Sequence, residues 1–156
     1  ASGELLSLRY RQDDRISAGF SKYVGLWGHN DTLLYDMKLL SGVGRVQDLW
    51  AFEGEYDAAL GFQLGLVSAT LTNGAGRLEG LPSLIKGIGM NPKTWILASD
   101  QDDAGHKSAY DLAKVLGALG GTFRRAIWDK GKDITEFYKF GGRLADIHLT
   151  NAGVLW

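Results

Sequence analysis

From residue 49 onward, apolar runs of strand length alternate with helical patterns. Leu49-Trp50-Ala51-Phe52 predicts a strand over 49–53, followed by a helix from about Asp57 to Gln63 that stops at Gly65. A strand over 67–71 closes in Thr72-Asn73-Gly74-Ala75-Gly76, and a weaker helix covers 81–88, with Pro82 in its first turn. The run Trp95-Ile96-Leu97-Ala98 predicts a strand over 94–99. The longest helix follows, over 104–119, with Ala109, Leu112, Ala113, Leu116 and Leu119 as its apolar stripe and Gly120-Gly121 as its stop. A strand over 122–128, a polar turn over 129–133 and a short helix over 134–140 complete the alternation. Upstream, Leu6, Leu8 and Tyr10 alternate with Ser7, Arg9 and Arg11, the period of a half-buried strand with a basic outer face. Gln12-Asp13-Asp14 reads as a turn, 15–22 as a returning strand and 25–30 as a loop. Asp31 or Thr32 then caps a helix through Leu33, Leu34, Met37 and Leu40, ending at Gly42.

Four strands alternating with helices at short spacing imply an α/β, Rossmann-like fold. Its mostly parallel four-stranded sheet is covered by helices on both faces and preceded by a small strand-containing segment. Right-handed crossovers place every strand-to-helix turn on one edge. Glu53, Asn73, Asp100 and the 129–133 turn are therefore expected along one rim, where open α/β sheets carry their sites.

Composition narrows the class. The chain has 156 residues, 45% hydrophobic and 22% charged, as expected for a globular domain with a core. It has no cysteine, which excludes disulfides and thiolate zinc sites and leaves cytoplasm as the default compartment. No run is apolar enough to span a bilayer, so no membrane partner is expected. The chain opens on Ala1 and stops at Trp156, and both ends read as cut from something larger. Net charge is −1, from 17 basic and 18 acidic residues, less basic than an independent duplex-DNA binder. The basic residues are uneven, with Arg9, Arg11, Arg15 and Lys22 near the start and Arg124, Arg125, Lys130 and Lys132 near the end. Taken singly these are solvated surface residues; as two groups flanking an acidic site they are candidates for phosphate contacts.

The candidate chemistry lies in two acidic clusters, Glu53-Gly54-Glu55-Tyr56-Asp57 and Asp100-Gln101-Asp102-Asp103-Ala104-Gly105. Carboxylates gathered at one rim repel each other, and a hard divalent cation such as Mg²⁺ is the natural counter-charge. Asp100 and Asp102 flank one residue in a turn, so both carboxylates are able to reach one ion, and Asp103 fits a helix-start acid. Glu53 ends an apolar strand, where a carboxylate is costly unless paired. It is read as a metal ligand or a general acid/base, against an N-cap or a buried ion pair. Glu55 is expected at the surface, and Asp57 reads as the start of its helix. Asn73 and Gly74 offer backbone N–H groups to a phosphate or form a plain tight turn. Lys107 opens the long helix at an exposed position and is carried as a phosphate-contact candidate. Trp27, in a loop beside basic residues, is a candidate for stacking on a base.

These motifs resemble the TOPRIM domain of primases, topoisomerases and some nucleases. The likeness is carried by Glu53-Gly54, by Asn73-Gly74-Ala75-Gly76 and by Asp100-Gln101-Asp102-Asp103-Ala104-Gly105, and it covers about 49–142. It implies that Glu53 is the catalytic acid/base and that Asp100 and Asp102 bind Mg²⁺, for which Mn²⁺ substitutes. Glu53 is expected close enough to share that cation. Lys132-Asp133 resembles the Lys-Asp that follows the fourth strand in primase-type members, which adds Asp133 as a lesser metal candidate and Lys132 as a nucleotide contact. Upstream, Leu8-Arg9-Tyr10-Arg11, Leu26-Trp27-Gly28 and Leu33-Leu34-Tyr35 resemble the segment before TOPRIM in bacterial and phage primases and primase-helicases. By that likeness Arg9, Arg11 and Lys22 touch DNA or nucleotide phosphates. The expected organisation is an N-terminal primase-core segment over 1–48, a TOPRIM domain over 49–142 and a tail over 143–156. The expected function is RNA primer synthesis on single-stranded DNA from ribonucleoside triphosphates, with a zinc-binding module and a helicase outside this span. A TOPRIM-type nuclease and a non-catalytic nucleotide-binding module are the rivals. A topoisomerase is disfavoured, because no tyrosine-bearing domain of that kind is recognisable.

Overall fold

The computed structural model describes residues 9–11, 23–25, 47–70 and 78–150. The chain divides into two compact units, 1–31 and 32–156. In the first, β1 (Arg9–Arg11) pairs antiparallel with β2 (Tyr23–Gly25), Tyr10 opposite Val24. The return strand expected over 15–22 lies outside the described residues, and Gly25, read as loop, ends β2 instead.

The second unit holds the alternating pattern. In chain order its elements are β3 (Asp48–Phe52), α1 (Glu55–Gln63), β4 (Ser68–Thr70), α2 (Leu81–Gly87), β5 (Thr94–Ala98), α3 (Asp103–Ala118), β6 (Phe123–Ile127) and α4 (Ile134–Lys139). A 3₁₀ turn (Leu144–Asp146) and β7 (His148–Leu149) follow. The sheet order is β4-β3-β5-β6-β7, parallel throughout except for β7. The fifth strand was not expected. Two residues are too short to show a period, and β7 is held by Arg124, whose guanidinium donates to the carbonyls of Leu149 and Thr150 at 2.9 Å.

Both faces of the sheet are covered, and β5 shows why its sequence is apolar without alternation. Trp95 and Leu97 face a core with Leu49, Ala51, Leu81, Leu112 and Leu116, under α2 and α3. Ile96 and Ala98 face the other core, with Phe52, Ala58, Ala126, Ile134 and Phe137, under α1 and α4. The α3 stripe buries Ala109, Leu112, Ala113 and Leu116 as expected, whereas Leu119 lies past the helix end and is 45% exposed. Glu55 is half-buried rather than exposed, because it falls inside the first turn of α1.

The register sets the site. Phe52 pairs with Ala98, so β3 and β5 end level and Glu53 emerges beside Ser99 and Asp100. One strand further, Leu97 pairs with Arg125. The turn after β6 returns over this edge, where the Gln101 N–H donates to the Lys132 carbonyl at 2.7 Å.

Candidate active site

The acidic edge begins with three backbone devices. Gly54 is the N-cap of α1, so the chain turns straight from Glu53 into the helix. The Thr70 hydroxyl, at the end of β4, donates to the Glu53 carbonyl at 3.1 Å and fixes that turn. At the second cluster, a Cβ on Gly105 would stand 2.1 Å from the Asp100 carbonyl oxygen. Only glycine lets the first turn of α3 lie against the Asp100 backbone this closely, which is what the Ala104-Gly105 pair in the motif does.

Asp102 divides its two oxygens. Oδ1 accepts from the Gly105 N–H at 2.8 Å, capping α3, and Oδ2 lies 3.0 Å from Lys132 Nζ. The helix N–H first, and Lys132 with it, hold this carboxyl below the ordinary carboxylate range. Asp100 Oδ2 also lies 3.0 Å from Lys132 Nζ, so one ammonium joins both carboxylates. The two aspartates raise the affinity of Lys132 for its proton. Asp103, read as the helix-start acid, lies in the first turn of α3, and Asp102 is its cap.

Glu53 meets a different environment. Its Oε2 is buried and finds no hydrogen-bond partner among the described residues. Burial, then the Asp100 charge, push its carboxyl above the ordinary 4.5, against the pull of the Asp100 N–H. An open groove of about 650 Å³ starts at Glu53 and follows α3, with Lys107, Ser108, Asp111 and Lys114 on one side and Leu78 and Glu79 on the other. Lys107 is exposed as expected and is paired with Asp111 one turn on.

Two residues that sequence reasoning assigned no individual role at the site belong to this edge. Asp57 accepts from the Thr135 hydroxyl at 2.7 Å, tying α1 to α4, and burial pushes its carboxyl up, with Asp133 and Asp100 adding to the effect. Its spacing of four from Glu53 was the available signal. Arg125, taken for a solvated cation, is 1% exposed. Its guanidinium donates to the Leu97 carbonyl at 3.2 Å and the Asp100 carbonyl at 2.9 Å, beneath the acidic edge. Burial pulls its pKa down to about 10, and Glu53 and Asp100 oppose that shift. With Arg124 bonded to β7, half of the expected second basic group is occupied inside the fold.

The donor set is all oxygen and suits a hard divalent cation. Asp100 and Asp102 already converge on one positive charge. Among the described residues no three acidic or histidine side chains stand close enough to hold a metal ion together. Two carboxylates, completed by water and substrate phosphate, are the usual protein share for Mg²⁺, so this pair fits it. Glu53 stands beside the pair rather than within a three-carboxylate cluster, with one of its carboxylate oxygens buried. The Asp133 carboxylate accepts from the Glu136 N–H at 2.7 Å and caps α4. Asn73, Gly74, Lys22 and Trp27 lie outside the described residues, as do the side chains of Arg9 and Arg11.

The sequence matches no protein-family model and no curated protein sequence. Solved structures do match. The primase fragment of the bacteriophage T7 primase-helicase protein aligns over 89% of this chain and 54% of its own, with a TM-score of 0.71 and 24% identity. A structure of bacteriophage T7 lagging-strand DNA polymerase interacting with primase domains of two gp4 subunits bound to an RNA/DNA hybrid and dTTP aligns over 76% of this chain and 59% of that one, with a TM-score of 0.63 and 24% identity. The chain thus spans about half the length of the primase fragment. The α/β architecture, with its mostly parallel sheet wrapped by helices, is the fold of a phage-type primase fragment.

Proposed function

We propose that this chain is the catalytic core of a DNA primase, joining ribonucleotides on a single-stranded DNA template. The observation that carries the reading is the convergence of Asp100 and Asp102 on one cationic group beside a half-buried Glu53, whose carboxyl is pushed above the ordinary range by burial and the Asp100 charge. The fold shared with the phage primase fragment supports it. Asp100 and Asp102 would hold Mg²⁺, or Mn²⁺ in its place, which when bound neutralises triphosphate charge during phosphoryl transfer. Glu53, with its raised proton affinity, is suited to take the proton of the attacking 3′-hydroxyl. Lys132 and Lys107 supply positive charge at the rim and along the groove for nucleotide and template phosphates. Arg9 and Arg11 in β1, with Lys22, Asn73 and Gly74, complete the proposed nucleic-acid contacts, and Asp133 is the remaining metal candidate.

In this reading the TOPRIM unit spans 49–142, follows the 1–48 segment and acts in the cytoplasm with a zinc-binding module and a helicase outside this span. None of the described helices is long and apolar enough to cross a membrane. The test is primer synthesis on single-stranded DNA with ribonucleoside triphosphates and Mg²⁺ or Mn²⁺. Product from the parent chain and none from the Asp100→Ala, Asp102→Ala double variant is expected. Full activity in that variant would refute the metal role, and plasmid nicking without nucleotides would reassign the same acids to a nuclease.

A further inference from the structure

We propose that Lys132 is a built-in counter-cation that holds Asp100 and Asp102 together in the metal-free protein and must leave before a divalent cation is bound. This rests on the reading of the two aspartates as the metal site and adds a control element to it. Nζ lies 3.0 Å from one oxygen of each carboxylate, the point on which a shared cation would sit. Mg²⁺ draws carboxylate oxygens to about 2.0–2.1 Å, so ammonium and metal exclude each other there.

The surrounding turn permits the exchange. The Lys132 backbone is fixed at both polar groups: its carbonyl accepts from the Gln101 N–H at 2.7 Å and its N–H donates to a Glu136 carboxylate oxygen at 2.8 Å. Gly131 before it has φ +76°, and a Cβ there would stand 2.7 Å from Glu136 Cβ, so the turn follows one path. The side chain beyond that anchor is 54% exposed and has room to swing out without moving the backbone. An ammonium released there stays tethered at the rim, beside any anion that enters with the metal.

The exchange predicts metal affinity in the absence of substrate. Mn²⁺ is titrated into the 156-residue chain and free Mn²⁺ is read by electron paramagnetic resonance. Lys132→Gln is expected to tighten Mn²⁺ binding roughly three- to thirtyfold, the range set by freeing two partly exposed ion pairs. Lys132→Arg, which keeps the cation, stays near the parent. Lys130→Gln removes an exposed charge from the same turn that is not bonded to either aspartate, and it is expected to change affinity less than twofold by comparison, roughly the scale of a screened surface charge. In chelator, Lys132→Gln melts lower than the parent, and saturating Mn²⁺ closes that gap. Equal affinity in Lys132→Gln and the parent, or an equal gain in Lys130→Gln, overturns the exchange while leaving the metal site in place. Absence of Mn²⁺ binding in every variant removes the metal reading itself, and this proposal with it.

Discussion

Arg125 donates from its guanidinium to the main-chain carbonyl of Asp100 at 2.9 Å. A fully buried cation on β6 thus fixes the backbone beneath an acidic side chain that follows β5. The same group reaches the Leu97 carbonyl, so it clamps the last turn of strand before the acidic loop. Burying a charge is costly, and here the carbonyl oxygens and the nearby carboxylates of Glu53 and Asp100 offset that cost.

Replacing Arg125 with Met should therefore harm both stability and geometry. The expected loss is about 3 kcal/mol, because two carbonyls lose a charged donor in a dry site. Denaturant unfolding measures it. On the proposed reading of Asp100 as a metal ligand, Mn²⁺ affinity falls as well, since Asp100 loses its backbone support.

Gly105→Ala separates helix propensity from packing. In an open helix the change stabilises by up to about 1 kcal/mol. Here the new methyl would meet the Asp100 carbonyl at 2.1 Å, and the expected result is destabilisation by at least about 2 kcal/mol. A rise in melting temperature would show that α3 does not press on this turn.

Asp102→Asn should part function from folding. Asparagine caps helices as well as aspartate does, so α3 keeps its N-cap and the melting temperature changes little. The ion pair with Lys132 is lost, and, on the proposed primase reading, the weakened metal site lowers primer synthesis at least about 100-fold. Circular dichroism and a primer assay on the same preparation decide this.

Glu53 gives a pH signature in the metal-free protein. Its folded carboxyl holds its proton above the ordinary 4.5, so between that value and the raised one the native state binds more protons than the unfolded chain. Stability from this group is full below 4.5 and is lost as pH rises through the raised value. Glu53→Gln should thus be more stable than the parent near neutral pH, with the difference closing below pH 4.5. Melting curves in chelator across that range test the sign.

Thr135→Val removes the donor to Asp57 that joins α1 and α4. A loss of about 1–2 kcal/mol is expected from a half-buried carboxylate left without its hydroxyl partner. An unchanged unfolding midpoint would mean that water replaces the hydroxyl.

Much of this was legible in the chain itself. The 49–140 alternation is strong because each strand is an apolar run bounded by polar turns, and handed crossovers leave one arrangement of those turns. Glu53, Asp100 and Lys132 were expected on one rim, and the Asp100–Lys132 pair meets there. Leu119 and Glu55 were misjudged because the helix ends fall one or two residues from where the pattern puts them, and Arg125 because its burial depends on neighbours that are distant in sequence. Arg125 reads as a surface cation until β5 and β7 flank its strand on both sides.

Over the alternating stretch from 49 to 140, the sequence alone determined which elements form, their order and the edge on which the acids collect, since local periodicity and backbone handedness act without knowledge of the rest of the chain. Only the tertiary structure decided how each carboxylate is used. Asp102 splits its oxygens between a helix cap and Lys132, Asp100 shares that ammonium from 32 residues away, and Glu53 keeps a buried oxygen without a partner. Those assignments depend on distances of about 3 Å between segments far apart in the chain, and hydrogen bonds and ion pairs weaken steeply beyond that reach.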